Sequence, residues 1–201
     1  MKKILLISFL LNLQFIYAQS IKTILFLGDS LTEGFGVNKD EAFPKLLETL
    51  IQSKLQKNII VINAGVSGST TSDGLSRLKW FLKKKPDIVF LALGANDGLR
   101  GLDLKLSQEN LEEIIKYAQE SNAKVLFAGM QIPPNYGPEY SQHFKEMYEE
   151  IKTKYNLKFM PFLLKEVAGK KEFNQNDGIH PNAEGHKLIA KEVFEFIKDE
   201  L

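Results

Sequence analysis

The stretch that decides the fold is Thr23-Ile24-Leu25-Phe26-Leu27-Gly28-Asp29-Ser30-Leu31, an apolar run that stops at a glycine and two polar residues. A nearly continuous apolar run of this length is typical of a parallel β-strand that is covered on both faces. A strand with one face in water would alternate apolar and polar residues instead. Glycine, aspartate and serine are turn formers, so the pattern predicts a buried strand with polar side chains just beyond its carboxyl end.

Four further apolar runs follow along the chain, at residues 59–63, 88–93, 125–128 and 158–162. All but the last are as continuous as the first. Amphipathic stretches lie between the runs. Two of them place their apolar residues on one helical face. These residues are Leu46, Leu47, Leu50, Ile51 and Leu55 in the first stretch, and Leu188, Ile189, Val193, Phe196 and Ile197 in the second. Pro181, just before the second stretch, suits a first helical turn. This alternation predicts one α/β domain, a three-layer α/β/α arrangement around a five-stranded parallel sheet with right-handed crossovers.

Composition narrows the possible functions. The chain has 201 residues, of which 44% are hydrophobic and 25% charged, an ordinary balance for a globular domain. Lys and Arg number 26 and Asp and Glu 25, so the chain has no basic footprint for nucleic acid. It contains no cysteine, which excludes disulfides, thiolate metal sites and a cysteine nucleophile.

The N-terminus has the order of a secretory signal peptide. Lys2 and Lys3 precede an apolar run at residues 4–16, and Ala18 stands before polar Gln19. The run is short for a bilayer span, so we expect cleavage after residue 18 rather than an uncleaved anchor or a first strand. The predicted organisation is a signal peptide at residues 1–18 and one folded domain at 19–201, exported to the periplasm or secreted, without stable membrane insertion. Loss of the two lysines changes the net charge from +1 to −1.

The carboxyl ends of parallel strands form the ligand site in sheets of this kind, so the loops just after the runs are the informative ones. Four blocks stand out. They are Gly28-Asp29-Ser30-Leu31, Ala64-Gly65-Val66-Ser67-Gly68-Ser69-Thr70-Thr71, Gly94-Ala95-Asn96-Asp97-Gly98 and Asp177-Gly178-Ile179-His180-Pro181-Asn182.

These blocks contain the residue types that acyl transfer needs. A serine hydroxyl becomes nucleophilic when a base accepts its proton, and His180 can be that base for Ser30. Asp177 is close enough in a tight turn to hold the second imidazole nitrogen. The tetrahedral intermediate needs hydrogen-bond donors in place, and the N–H groups of Ser30 and Gly68 and the amide of Asn96 can supply three.

On these blocks the sequence resembles the SGNH hydrolases, also called the GDSL esterase/lipase family. Ser30, Gly68, Asn96 and His180 fall on the four family blocks in order, and Asp177 matches the triad acid. Residues 94–101, 131–137 and 177–182 are most similar to the branch of bacterial periplasmic enzymes described as thioesterase I, protease I and lysophospholipase L1. The resemblance implies a flavodoxin-like fold, small acyl ester or thioester substrates, no metal and no organic cofactor. Residues 32–36 depart from the branch pattern and leave the substrate choice open.

Two segments are expected to border the substrate. Residues 130–140 carry three prolines, and Pro134 and Tyr136 there suit the wall of an acyl groove. Leu99 and Arg100 follow the asparagine block and suit a lip over the substrate.

Other chemistry-bearing residues have simpler interpretations. Asp29 and Asp97 lack the converging carboxylates of a divalent metal site, and Asp29 is expected to accept backbone N–H groups. The spacing of His186 from His180 argues against a zinc pair. Trp80 is expected to pack in the interior, and Lys83, Lys84 and Lys85 to form a solvated helix end.

The leading hypothesis is a serine hydrolase of the arylesterase, lysophospholipase or acyl-CoA thioesterase type, working through a Ser-His-Asp triad. An alternative within the fold is an O-acetylesterase acting on carbohydrate or peptidoglycan. A non-catalytic flavodoxin-like binding domain is the alternative from another class, although the loops lack a phosphate-cradling glycine pattern.

Overall fold

The computed structural model describes residues 21–201, so the predicted signal peptide at 1–18 lies outside the described residues. Five parallel strands form one sheet in the order β2-β1-β3-β4-β5. The strands are β1 (Lys22–Gly28), β2 (Ile59–Gly65), β3 (Ile88–Ala92), β4 (Lys124–Ala128) and β5 (Lys158–Met160). Each of the five predicted runs is a strand, and the last strand is shorter than its run because it ends at Met160. The predicted fold class is confirmed.

Within residues 21–201, seven α-helices lie between the strands or after the last of them. They are α1 (Ser30–Glu33), α2 (Phe43–Leu55), α3 (Thr71–Phe81), α4 (Ala95–Leu99), α5 (Leu104–Glu120), α6 (Pro138–Lys154) and α7 (Ala183–Ile197). Helix α2 packs on α7, whereas α5 packs on both α3 and α6. The sheet lies between these two groups, which gives the predicted three layers. No helix within residues 21–201 combines the length and the apolar composition needed to cross a bilayer.

The core is centred on β1 and β3, whose apolar side chains are almost completely buried. Phe26 of β1 packs edge-on against Phe43 of α2, with ring centroids 5.6 Å apart, and lies 5.1 Å from Phe90 of β3. Strand β2 behaves differently, because it is an edge strand. Ile60 is 49% exposed, so burial of that run on both faces is a wrong expectation.

Two further expectations are corrected by the structure. Trp80 is 65% exposed rather than buried, because it lies on the last turn of α3, where the Lys83 ammonium is 4.5 Å from its ring. Pro181 lies before α7 rather than in its first turn. The side chain of Asn182 accepts from the Gly185 N–H at 3.0 Å, so the helix begins just after Asn182. Pro181 instead forms an isolated antiparallel β-bridge with Asn174.

The register brings the ends of the three neighbouring strands to one level. Gly28 of β1 pairs with Gly65 of β2 and with Ala92 of β3. A Cβ on Gly65 would lie 2.1 Å from the Glu33 backbone nitrogen, so only glycine lets β2 end this close to α1. The loops after β1, β2 and β3 therefore adjoin one another at the carboxyl edge of the sheet.

Candidate active site

Ser30 is the first residue of α1 and is 8% exposed. The Asp29 side chain begins this helix, because its Oδ1 accepts from the Leu31 N–H at 3.0 Å. This is the backbone contact expected of Asp29. Gly28 makes the turn possible, since a Cβ there would lie 2.0 Å from the Thr32 Oγ1. The tight strand-to-helix turn thus fixes the serine at the edge of the sheet.

The structure brings Ser30, His180 and Asp177 together as one hydrogen-bonded chain. The Nε2 of His180 is 3.0 Å from the Ser30 Oγ, and its Nδ1 is 2.7 Å from the Asp177 Oδ2. The second Asp177 oxygen, Oδ1, accepts from the N–H groups of Ile179 at 2.9 Å and His180 at 3.0 Å. The short turn at residues 177–180 therefore holds both the carboxylate and the imidazole.

These hydrogen bonds settle the charge of the carboxylate. Bonds from the backbone and the side chain of His180, with a third from the Ile179 N–H, lower the pKa of Asp177 from 3.8 to about 2. An ionised carboxylate accepts only, so Nδ1 carries the proton and Nε2 is left to accept from the serine. This is the arrangement that activates a serine hydroxyl.

The expected oxyanion donors lie in the adjoining loops. Gly68 has a φ of +77°, which favours glycine, and neither its N–H nor that of Ser30 has a hydrogen-bond acceptor within residues 21–201. The amide of Asn96 donates one hydrogen to the Ser69 carbonyl at 2.9 Å, which orients the group and leaves its second hydrogen available. Three donors from three loops can thus face a developing negative charge.

The Glu33 carboxylate holds residues 66–68, the oxyanion loop, against helix α1, which begins with Ser30. Glu33, at the end of α1, accepts from the Ser67 N–H at 2.7 Å and also from the Ser67 hydroxyl. The Asn63 amide donates to the Thr32 carbonyl at 2.8 Å and strengthens the same junction. Residues 66–68 are therefore tied to the helix that begins with Ser30.

Asp97 is a buried acceptor of hydrogen bonds from neighbouring helices. It is 2% exposed and accepts from the Thr71 N–H at 3.0 Å, the Thr71 hydroxyl at 2.6 Å and the Ser107 hydroxyl at 3.0 Å. These bonds join α3, α4 and α5 beneath the site. Within the described part of the chain no group of three or more His, Asp and Glu residues is arranged to hold a metal ion.

Two buried groups near the site have strongly shifted pKa values. Burial raises the pKa of Asp29 from 3.8 to about 6, although the Leu31 N–H and the charge of His180 oppose the shift. Burial lowers the pKa of His186 from 6.5 to about 4, against the influence of Glu41. His186 is completely buried, stacks on Phe43, and accepts from the Phe43 N–H at 3.3 Å through Nδ1, so it is a neutral core residue.

The residues expected to border the substrate lie in two separate segments. Leu99 ends α4, and the Arg100 guanidinium donates to the Gly68 carbonyl at 2.9 Å, which joins the expected lip to the oxyanion loop. Pro134 and Tyr136 bound a short 3-10 helix, in which Tyr136 is 40% exposed. Their contact with substrate stays a prediction.

Sequence reasoning missed two residues that join the site. The Phe35 ring lies 4.7 Å from the His180 imidazole, and the Gln175 amide donates to the Phe35 carbonyl at 2.7 Å. Gln175 lies only two residues before Asp177, and this proximity indicates that it belongs to the same loop as the Asp177–Asn182 block. No spacing rule indicates its partner in another loop.

The chain is similar in sequence to a known protein family and to characterised bacterial enzymes. The GDSL-like Lipase/Acylhydrolase family matches residues 26–188, which include all four blocks. An arylesterase of Vibrio mimicus is 38% identical over 185 residues, covering 92% of this chain and 90% of that protein. The thioesterase 1/protease 1/lysophospholipase L1 of Escherichia coli strain K12 is 37% identical over 174 residues, covering 86% and 82%.

Solved structures share the fold as well as the sequence. The crystal structure of the psychrotrophic esterase EstA from Pseudoalteromonas sp., inhibited by monoethylphosphonate, is 39% identical with a TM-score of 0.85. The match covers 89% of this chain and 98% of that one.

Proposed function

The chain belongs to the GDSL-like Lipase/Acylhydrolase family and is a carboxylic ester hydrolase, and we propose that it works through an acyl-enzyme on Ser30. The observation that carries the proposal is the continuous hydrogen-bonded chain from the Ser30 Oγ through His180 to Asp177. A serine, a base and an orienting acid in this geometry form an acyl-transfer triad.

Acylation begins when the Ser30 hydroxyl attacks the ester carbonyl carbon while the Nε2 of His180 takes the hydroxyl proton. The carbonyl oxygen becomes negative and accepts from the Ser30 and Gly68 N–H groups and from the Asn96 amide. The imidazolium, stabilised by ionised Asp177, then gives its proton to the leaving oxygen or sulfur as the bond to the acyl carbon breaks.

Deacylation repeats the sequence with water as the nucleophile. His180 removes a proton from the water, hydroxide adds to the acyl carbon, and the same donors hold the oxyanion. The proton returns to the Ser30 Oγ as the carboxylic acid leaves, so the enzyme is regenerated.

The substrates we propose are small carboxylic esters and acyl thioesters. The names of the similar proteins, an arylesterase and a thioesterase 1/protease 1/lysophospholipase L1, support this class. Hydrolysis of an acyl-chain series separates the O-acetylesterase alternative. A groove at Leu99, Arg100, Pro134 and Tyr136 should reward longer chains, whereas a deacetylase should favour acetate alone.

The decisive experiment compares Ser30→Ala with Ser53→Ala, a matched change at an exposed serine of α2. We expect Ser30→Ala to abolish hydrolysis of p-nitrophenyl acetate and labelling by a fluorophosphonate, and the control to keep both. An alanine variant that hydrolyses the ester at the original rate would exclude the acyl-enzyme mechanism.

We also propose that residues 1–18 direct export and are then removed. The order of charged, apolar and small residues supports the proposal. N-terminal sequencing of the protein recovered from outside the cytoplasm should begin at Gln19, and a mature protein that begins at Met1 would contradict it.

A further inference from the structure

Two exposed apolar side chains flank the catalytic histidine and have no part in the mechanism above. Phe35 is 48% exposed and Ile179 is 50% exposed. Single exposed apolar residues are common on protein surfaces. These two, however, stand on different loops, 144 positions apart in the sequence, and both adjoin His180. Their shared location calls for a role at the site.

Phe35 is held firmly in place although its ring is half exposed. Its N–H donates to the Ser30 carbonyl at 3.0 Å, and its carbonyl accepts from the Gln175 amide at 2.7 Å. The ring centroid is 4.7 Å from that of the His180 imidazole, with the planes inclined at 44°. The backbone anchors therefore present one part of the ring to the imidazole and leave another part open to solvent.

Ile179 is fixed by the turn that carries the histidine. Its N–H donates to the Asp177 Oδ1 at 2.9 Å, within the turn that carries the catalytic pair. The backbone of this apolar residue is therefore set by the same carboxylate that orients the imidazole.

The proposed mechanism determines which part of the substrate lies next to His180. His180 must give its proton to the leaving oxygen, and proton transfer needs a heavy-atom separation of roughly 2.6–3.2 Å. The leaving group therefore comes close to the imidazole, whose neighbours Phe35 and Ile179 both have exposed apolar surface. The oxyanion donors Gly68 and Asn96 belong to the other loops and face the acyl oxygen.

We infer that Phe35 and Ile179 form a subsite for an apolar leaving group, an aromatic alcohol above all. The inference rests on the proposed acyl-enzyme mechanism. When a phenyl ester is cleaved, the bond from Ser30 Oγ to the acyl carbon forms and the bond to the phenolic oxygen breaks. The serine proton passes through His180 to that oxygen, and neutral phenol leaves across the Phe35 ring.

The charges nearby favour a neutral leaving group. Segments 33–37 and 175–180 contain Phe35 and Ile179. Apart from His180, their ionisable residues are Glu33 and Asp177, which are both carboxylates. Neither segment offers a Lys or Arg side chain to a leaving group that carries phosphate. An uncharged aromatic ring gains contact area and offset stacking with Phe35 instead.

The test compares two acetate esters with leaving alcohols of similar acidity, phenyl acetate and hexafluoroisopropyl acetate. Both give the same acetyl-enzyme, so deacylation is common to them and kcat/KM reports acylation. We expect Phe35→Leu to lower kcat/KM for phenyl acetate about threefold to tenfold relative to the fluorinated ester, the size of an aromatic contact. Trp80→Leu, an exposed aromatic at the far end of α3, is the matched control and should leave the ratio unchanged.

Each other result would overturn the subsite. If Phe35→Leu lowers both esters equally, Phe35 acts by positioning His180 and not by contact with the leaving group. If neither value changes, the ring makes no contact that matters. Ile179→Thr, which keeps the β-branched shape, is the second variant and should shift the ratio in the same direction. Failure of the proposed function is distinguishable, because the wild-type protein would then form no acetyl-enzyme on Ser30 from either ester.

Discussion

The side-chain amide of Gln175 donates a hydrogen bond of 2.7 Å to the carbonyl of Phe35, 140 positions away in the sequence. The same nitrogen donates to the Pro181 carbonyl at 3.0 Å, just beyond His180. One side chain therefore joins the loop that follows the serine helix to the loop that carries the base. The relative placement of Ser30 and His180 depends on this connection.

Replacement of Gln175 by Met keeps its length and removes both donors. Only the bond to Phe35 joins the two loops, and loss of one hydrogen bond is typically about 1 kcal/mol, so we expect kcat/KM to fall about threefold to tenfold. The rate of fluorophosphonate labelling should fall by the same factor, because fewer molecules hold the base against the serine. Gln142→Met, on the exposed face of α6, is the control. A loss of unfolding free energy without a slower labelling rate would make Gln175 merely structural.

Asp177→Asn should keep the shape of the turn but favour the wrong imidazole tautomer, with a loss in kcat of about 10⁴-fold. Because hydrogen bonds lower the pKa of Asp177 to about 2, its carboxylate stays ionised at every pH above about 4. Above about pH 4, the pH–rate profile should therefore show no change in rate caused by ionisation of Asp177. Steady-state kinetics of both proteins between pH 4 and 9 check this, and a mild loss would show that Asp177 only shapes the turn.

Ser67→Ala removes one of the two donors that Glu33 binds and loosens the oxyanion loop. We expect kcat to fall about tenfold with KM little changed, because the donors act on charge that develops in the transition state. Ser76→Ala on α3, whose hydroxyl bonds only its own helix, serves as the control. A raised KM with unchanged kcat would place the effect in ground-state binding and contradict the role of Glu33 in holding the oxyanion loop.

His186 should make stability depend on pH. Its pKa is about 4 in the folded protein, against the ordinary value of 6.5 in the unfolded chain, so the unfolded chain binds the extra proton first as the pH falls. Its contribution is complete above pH 6.5 and is lost between about 6.5 and 4, with a total of about 3 kcal/mol. The difference in unfolding free energy between wild type and His186→Gln should shrink over this range.

Urea unfolding at pH 7, 5.5 and 4.5 measures that difference. Asp29 gives the opposite slope, because its raised pKa of about 6 weakens the fold as the pH rises from 3.8 to 6. Asp29 is present in both proteins, so its effect cancels in the comparison. A difference that is constant with pH would mean that the pKa of His186 is the same in the folded and unfolded chains.

The parts of the fold that depend on local pattern could be predicted from the sequence. Continuous apolar runs identify parallel strands, and the polar residues just after them identify the loops at the carboxyl edge. The structure brings Ser30, Asp177 and His180 to that edge, where the blocks placed them. Their catalytic roles stay predictions until the variants are measured.

The rest depends on contacts between distant segments, which a local pattern does not encode. Ile60 belongs to a run as apolar as its neighbours, but only strand order shows that its strand is an edge. Trp80 looks like a core residue until the helix end on which it lies is known. Gln175 and Glu33 are ordinary polar residues whose partners are fixed by tertiary packing alone.

The proposed nucleophile Ser30 and its base His180 are 150 positions apart in the sequence. A chain still being synthesised contains Ser30 long before residue 180 has emerged from the ribosome. Such a nascent chain has a serine but no proton acceptor, so it cannot attack the esters of the cell that makes it. Under the proposed mechanism, catalytic competence arrives only with the last part of the polypeptide, and a chain that stops before residue 180 lacks the base that the mechanism requires.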